Sequence, residues 1–248
     1  MSINYGRAAL GLGLGYVTYR VLRSAFSDAN AALDHLERRC PGDGSIPCKI
    51  VPAGSIDNRM KMLAGFIRKG ALDPKVRRLA VRSVSKKCDG GKFCTPSRVA
   101  LDELQTILGD FTDPGSELYR GMNEIEGVLA EFKQRYRYVS DALGADQFQS
   151  AKRTLFDFHG GDCDDATIAL GSLCRALGYP VKVRVVRTKD AEDWNHVYLM
   201  VNPDKRGEKY VALDGSVDAV MHKGKKTPIF VGWEAPDRIV ADRRDMDV

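Results

Sequence analysis

The stretch from Gly160 to Pro180 limits what this chain can fold into more than any other. Gly160-Gly161-Asp162-Cys163-Asp164-Asp165 runs directly into apolar residues at Ala166, Ala169, Leu170, Leu173, Cys174 and Leu177. That spacing fits one buried face of an α-helix. Gly178 ends the helix and Pro180 forbids its return. Cys163 therefore stands at a helix start, after a glycine turn. Unpaired backbone N–H groups and the positive end of the helix dipole meet the sulfur there, as a nucleophilic thiolate requires. Cys174 falls on the apolar face and reads as an inert core residue.

Three strand-like runs follow at 181–188 (VKVRVVRT), 196–202 (HVYLMVN) and 209–215 (KYVALDG). The segment PDKRGE joins the last two and has the Pro, Asp and Gly of a turn. A hairpin centred near Lys205 sets Met200 opposite Tyr210, Tyr198 opposite Ala212, and His196 opposite Asp214. Cross-strand neighbours on one face have Cβ atoms about 4.5–5.5 Å apart, close enough for an imidazole and a carboxylate to bond. A one-residue slip would break this pairing. Cys163, His196 and Asp214 then form a candidate catalytic triad of nucleophile, base and orienting carboxylate. A lone His in a strand is usually structural, and His35, His159 and His222 have no comparable partners. The order Cys, His, Asp on helix start, strand and next strand sets His196 apart.

The rest of the chain divides by pattern. Residues 1–27 hold an apolar, glycine-rich run, Ala8 to Tyr19, between Arg7 and Arg20. It is short of the ~20 residues of a membrane span. Arg20 and Arg23 also occupy the place of a signal-peptide cleavage site. An anchoring or packing role in an assembly is the favoured reading; membrane contact of residues 8–26 is an alternative. Residues 28–135 read as mostly helical. Helices are expected over 28–39, over 56–70 closed by Gly70, from Pro74 with Asp73 as N-cap, and from Asp113-Pro114 to about Tyr138. Residues 41–54 read as a Gly/Pro-rich loop. Residues 136–240 read as one helix followed by strands, and 241–248 as a charged tail. The expected fold class is α+β.

Hydrophobic residues at 44% can supply a real core, and a net charge of +5 is too small to argue nucleic-acid binding. The basic residues from Lys75 to Lys87 read as a solvated helix face. Cys40 with Cys48, and Cys88 with Cys94, leave three options open: free thiols, two local disulfides, or a four-cysteine metal site. No cofactor is expected.

The stretches RYRYVSD (135–141), QSAKRTL (149–155), GDCDDATIALGSLCRALGYPVKVRVV (161–186), WNHVYLMV (194–201) and YVALDGS (210–216) resemble the transglutaminase-like superfamily of cysteine hydrolases. The wording is closest to the version encoded by bacteriophages and prophages. The resemblance implies a papain-like core, with the nucleophile helix packed on an antiparallel sheet. It also implies the triad roles for Cys163, His196 and Asp214, with Gln149 as a possible oxyanion donor. A thiol peptidase or amidase acting through an acyl-enzyme on a peptide or protein is the leading expectation. The alternatives are a virion structural protein carrying the domain, docked to other virion proteins through its N-terminal segment, and a cross-linking acyltransferase. A virion or the cytoplasm of a phage host is the expected location.

Overall fold

The computed structural model describes residues 48–51, 55–85, 113, 115–141, 146–206, 208–217, 219–222, 225–228 and 239–248. The expected helix at 28–39, the apolar run at 8–19, and Cys40, Cys88 and Cys94 lie outside these residues. Among the described residues no helix is long and apolar enough to cross a membrane.

Helix α1 covers Ile56–Ala71 and α2 covers Pro74–Ser85. Ser55 caps α1, accepting from Asn58 N. Asp73 caps α2, its Oδ1 accepting from Lys75 N at 2.8 Å and Val76 N at 3.2 Å. The Asp-Pro signal therefore does what its chemistry predicts. Gly70 does not close α1, which runs on through Ala71. Its missing side chain instead admits Ser172, whose hydroxyl would meet any Cβ there. Helix α3 covers Glu117–Arg135. It starts later than Asp113-Pro114 suggests: Asp113 forms the preceding turn, and Ser116 is the cap, accepting from Tyr119 N at 3.0 Å. It also stops before Tyr138, because Arg137–Tyr138 is a short strand.

Helix α4, Cys163–Ala176, is the nucleophile helix that the sequence predicts, and Gly178 follows it at φ 84°. One correction concerns its surroundings. Every residue from Asp164 to Cys174 is buried, so α4 is enclosed on all sides rather than on one face. Met60, Leu63 and Ile67 of α1, Leu79 of α2, and Ile125 and Phe132 of α3 share a single core with Ile168, Leu170 and Leu173 of α4. This core is continuous across position 135/136, where the sequence changes character.

The strands are β1 (Cys48–Val51), β2 (Arg137–Tyr138), β3 (Asp146–Gln149), β4 (Gly160–Gly161), β5 (Val181–Thr188), β6 (His196–Val201), β7 (Val211–Leu213), β8 (Ala219–His222), β9 (Lys225–Pro228) and β10 (Val240–Asp247). The main sheet is antiparallel, in the order β10-β5-β6-β7. Its Val183, Val185, Val197, Leu199, Val201, Val211 and Leu213 join the core around α4. Helices on an antiparallel sheet make the fold α+β, as expected.

Three expectations fail here. Within the loop expected at 41–54, β1 pairs antiparallel with β3. Of the charged tail expected at 241–248, residues 241–247 belong to β10, at one edge of the sheet. Its charges face opposite charges, Arg184 forking onto Asp245 at 2.6 Å and Arg244 reaching Asp57 of α1 at 2.7 Å. The β6–β7 register sets Leu199 opposite Leu213, Met200 opposite Ala212 and Val201 opposite Val211. That is two residues from the expected hairpin. Side chains alternate with period two, so a two-residue shift keeps every residue on its face.

Candidate active site

The two-residue shift makes His196 and Asp214 diagonal neighbours instead of direct ones, and they still meet. His196 Nε2 lies 2.7 Å from Asp214 Oδ2. Diagonal partners remain within reach of long or aromatic side chains. Asp214 is 1% exposed. Its other oxygen, Oδ1, accepts from Ser216 N at 3.0 Å and Ser216 Oγ at 2.7 Å. Burial opposes the Asp214 charge, but the His196 bond and charge and the Ser216 bonds outweigh it, holding the carboxyl below its usual range. For His196, burial likewise disfavours the charge. The bonds to Asp214 and to Cys163 prevail and push the imidazole up to about 10. The ring thus uses Nε2 for the carboxylate, which leaves Nδ1 for the thiol. It also lies against Tyr198, ring centroids 5.7 Å apart.

Cys163 is a free thiol, half-buried at the first residue of α4. It shares a cleft of about 120 Å³ with His196, Trp194 and Asn195, and with Met60, Leu63 and Phe148. The local sequence fixes its position in steps. Thr167 Oγ1 donates to Cys163 O at 2.7 Å and lies 3.3 Å from Val197 O, tying the first turn of α4 to β6. The Tyr136 hydroxyl, Oη, lies 2.7 Å from Gly161 O and 2.8 Å from Asp162 O, and holds the residues before the cysteine. Burial, then Asp165 and Asp162, push the Tyr136 hydroxyl far up, so it remains a donor. A Cβ on Gly161 would fall on the Asp165 side chain, which explains a glycine at that place in the box.

Gln149 does not face the cleft as an oxyanion donor would. It is fully buried, and its Nε2 donates to Asp165 Oδ2 at 2.5 Å, with Gly160 O at 3.4 Å. Its backbone N–H also donates to Asp165 Oδ1 at 2.8 Å. Gln149 and Asp165 therefore form a clamp between β3 and α4. This gives the second carboxylate after the cysteine a physical reason, which sequence reasoning lacked. Asp164 has a different setting. It is 5% exposed, and burial, then the charges of Asp162 and Asp165, raise its carboxyl well above the usual range. Asp141, Asp162 and Asp164 are the group among the described residues that could hold a metal ion, with one oxygen of each within 4.8 Å of the others. Asp141 and Ser216 lie within the family-like stretches, but single Asp and Ser residues carry no signal of these roles.

The arrangement brings together a thiol at a helix start, an imidazole and a buried carboxylate. Such a set can accept a thiol proton, attack a carbonyl carbon and return a proton to a leaving group.

A model described as the Transglutaminase-like superfamily matches residues 107–215. The chain thus carries a transglutaminase-like domain, which points in general to chemistry of the cysteine-hydrolase and transglutaminase type. Among solved structures, the periplasmic domain of TgpA from Pseudomonas aeruginosa, determined with ethylmercury bound, is similar at 18% identity with a TM-score of 0.28. That match covers 59% of this chain and 50% of the other. A search of curated proteins finds no match.

Proposed function

We propose that the chain is a thiol hydrolase that cleaves a peptide or amide bond through an acyl-enzyme. The observation that carries this reading is the His196–Asp214 pair at 2.7 Å with the Cys163 thiol bonded to the same imidazole. Cys163 Sγ attacks the carbonyl carbon, forming the C–S bond while its proton resides on His196 Nδ1. The oxyanion is stabilised by the Cys163 backbone N–H at the start of α4. As the C–N bond breaks, His196 gives that proton to the departing amine. Water, deprotonated by His196, then attacks the thioester and releases the acid and the free thiol. Asp214 keeps the imidazole in the required tautomer and stabilises its charged form.

The test is a panel of peptide and amide substrates with wild type and Cys163→Ala. Hydrolysis with a trapped thioester on Cys163, absent in the variant, supports the reading. Product mass separates water from an amine acceptor, and hence hydrolase from cross-linking acyltransferase. The phage-like wording of the box adds a finer proposal, that the enzyme works within a virion. If wild type turns over nothing and Cys163→Ala blocks particle assembly, the domain is a silent scaffold.

A further inference from the structure

One wall of the cleft beside Cys163 comes from α1, outside the matched residues 107–215. Ile56, Met60 and Leu63 recur at helical spacing and turn one face of α1 toward the nucleophile. Phe148 of β3 and Val185 of β5 complete an apolar floor with Met60 and Leu63, all of them buried. Ile56 and Trp194 are half-buried and border the mouth. Arg244 ties the two sides of this mouth together. Its Nη1 donates to Oδ1 of Asp57, next to Ile56, at 2.7 Å, and its guanidinium lies over the Trp194 ring, 5.7 Å from the centroid. The space enclosed is about 120 Å³. An apolar cavity of about 150 Å³ takes up benzene, and this one is smaller. A branched aliphatic chain fills it, whereas an aromatic ring is excluded. The floor side chains offer no hydrogen-bond partner, so a charged head buried against them would go unpaired. Arg59 and Asp162 put charge of both signs in the lining, which therefore selects neither a cation nor an anion.

We propose that this cleft is a specificity pocket for a branched aliphatic side chain (valine, leucine or isoleucine) on the substrate residue whose carbonyl Cys163 attacks. The Cα of that residue is one bond from the carbon that joins Sγ, so its side chain enters the space bordering the sulfur. Ile56 at the mouth and Met60 at the floor set the size limit. A misfit of one methylene in such a pocket is worth about 10–200-fold in rate. This preference rests on the thiol-hydrolase reading above and deepens it: the substrate is a peptide with a branched aliphatic residue at the scissile bond.

The experiment labels the full chain with dipeptidyl acyloxymethyl ketones that differ only in the side chain next to the ketone: glycine, valine, leucine, phenylalanine, lysine or aspartate. The Cys163 thiolate displaces the carboxylate, a C–S bond forming as the C–O bond breaks, and intact mass against time gives the rate. The valine and leucine probes should label Cys163 at least about tenfold faster than the rest. Ile56→Ala and Met60→Ala should each raise the rate of the phenylalanine probe, relative to leucine, by about tenfold. Thermal melts check that both variants fold. Met60 is fully buried, and the half-buried Ile56 carries the test if Met60→Ala does not fold. Equal rates for all probes, a preference for any of the others, or ratios unchanged in the folded variants overturns the pocket and leaves the hydrolase reading standing. If no probe modifies Cys163, the hydrolase reading itself fails and the pocket falls with it.

Discussion

The two ends of α4 carry the same side chain in opposite environments. Cys163 at its N-terminus is half-buried in a cleft of mixed polar and apolar lining, beside His196. Cys174, eleven positions on, is fully buried among apolar residues, and burial alone pushes its thiol up to about 12. One end is a helix start that borders the cleft, where the first N–H groups have no partner within the helix, and the other lies inside close-packed core. The reactivity of a thiol here is decided by place, not by residue type.

Substitutions at the two ends should therefore fail differently. Cys163→Ala and His196→Ala should each cut hydrolysis by about 10³-fold or more, since members of one catalytic unit are not additive, and Cys163→Ala should leave the melt nearly unchanged. Asp214→Asn keeps the shape but removes the charge, and a loss of roughly 10²-fold is expected. Both are read from initial rates beside thermal melts. Cys174→Ala should do the reverse, destabilising by about 1 kcal/mol with activity kept. If Cys174→Ala abolishes activity in a folded protein, the contrast between the ends is wrong.

Three titratable groups sharpen the comparison through pH. His196 is raised from 6.5 to about 10 by Asp214 and Cys163 against the cost of burial. Its contribution is therefore full below pH 6.5 and lost as pH rises through about 10. Asp214 is lowered, so its part is present at neutral pH and lost in acid. The stability difference between wild type and His196→Ala should then be largest near neutrality and shrink above pH 10. Glu126 of α3 behaves oppositely to the charged pair. Burial raises its carboxyl to about 8, so the folded state holds a proton that the unfolded chain releases near 4.5. Stability from this group falls as pH rises from about 4.5 to 8. Glu126→Gln should remove that slope and raise the melting midpoint by a few degrees at pH 8, measured by melts across pH.

The site was legible where local chemistry decided it. The Gly-Asp-Cys turn, the apolar period after it and the Asp-Pro and Gly signals at helix ends all operate within a few residues. The hairpin register was two residues off, yet His196 and Asp214 stayed on one face because strand periodicity is two. What escaped depended on partners far along the chain. β1 is a strand only because β3 lies beside it. Residues 241–248 look like a charged tail until Arg184, Lys182 and Asp57 are placed opposite Asp245, Asp247 and Arg244. Gln149 is a polar residue with several uses, and its clamp on Asp165 is set by tertiary packing rather than by spacing. The meeting of Asp141 with Asp162 and Asp164 needs the parallel β2–β4 ladder, for which two-residue strands leave no pattern.

The most direct test of the central claim is the rate of alkylation of each cysteine by iodoacetamide near pH 7, resolved by peptide mass spectrometry. Cys163 should be modified far faster than Cys174, and His196→Ala should slow Cys163 while leaving Cys174 unchanged. If Cys163 reacts no faster than Cys174, or its rate does not depend on His196, the two ends of α4 are chemically alike and the active-site account is contradicted.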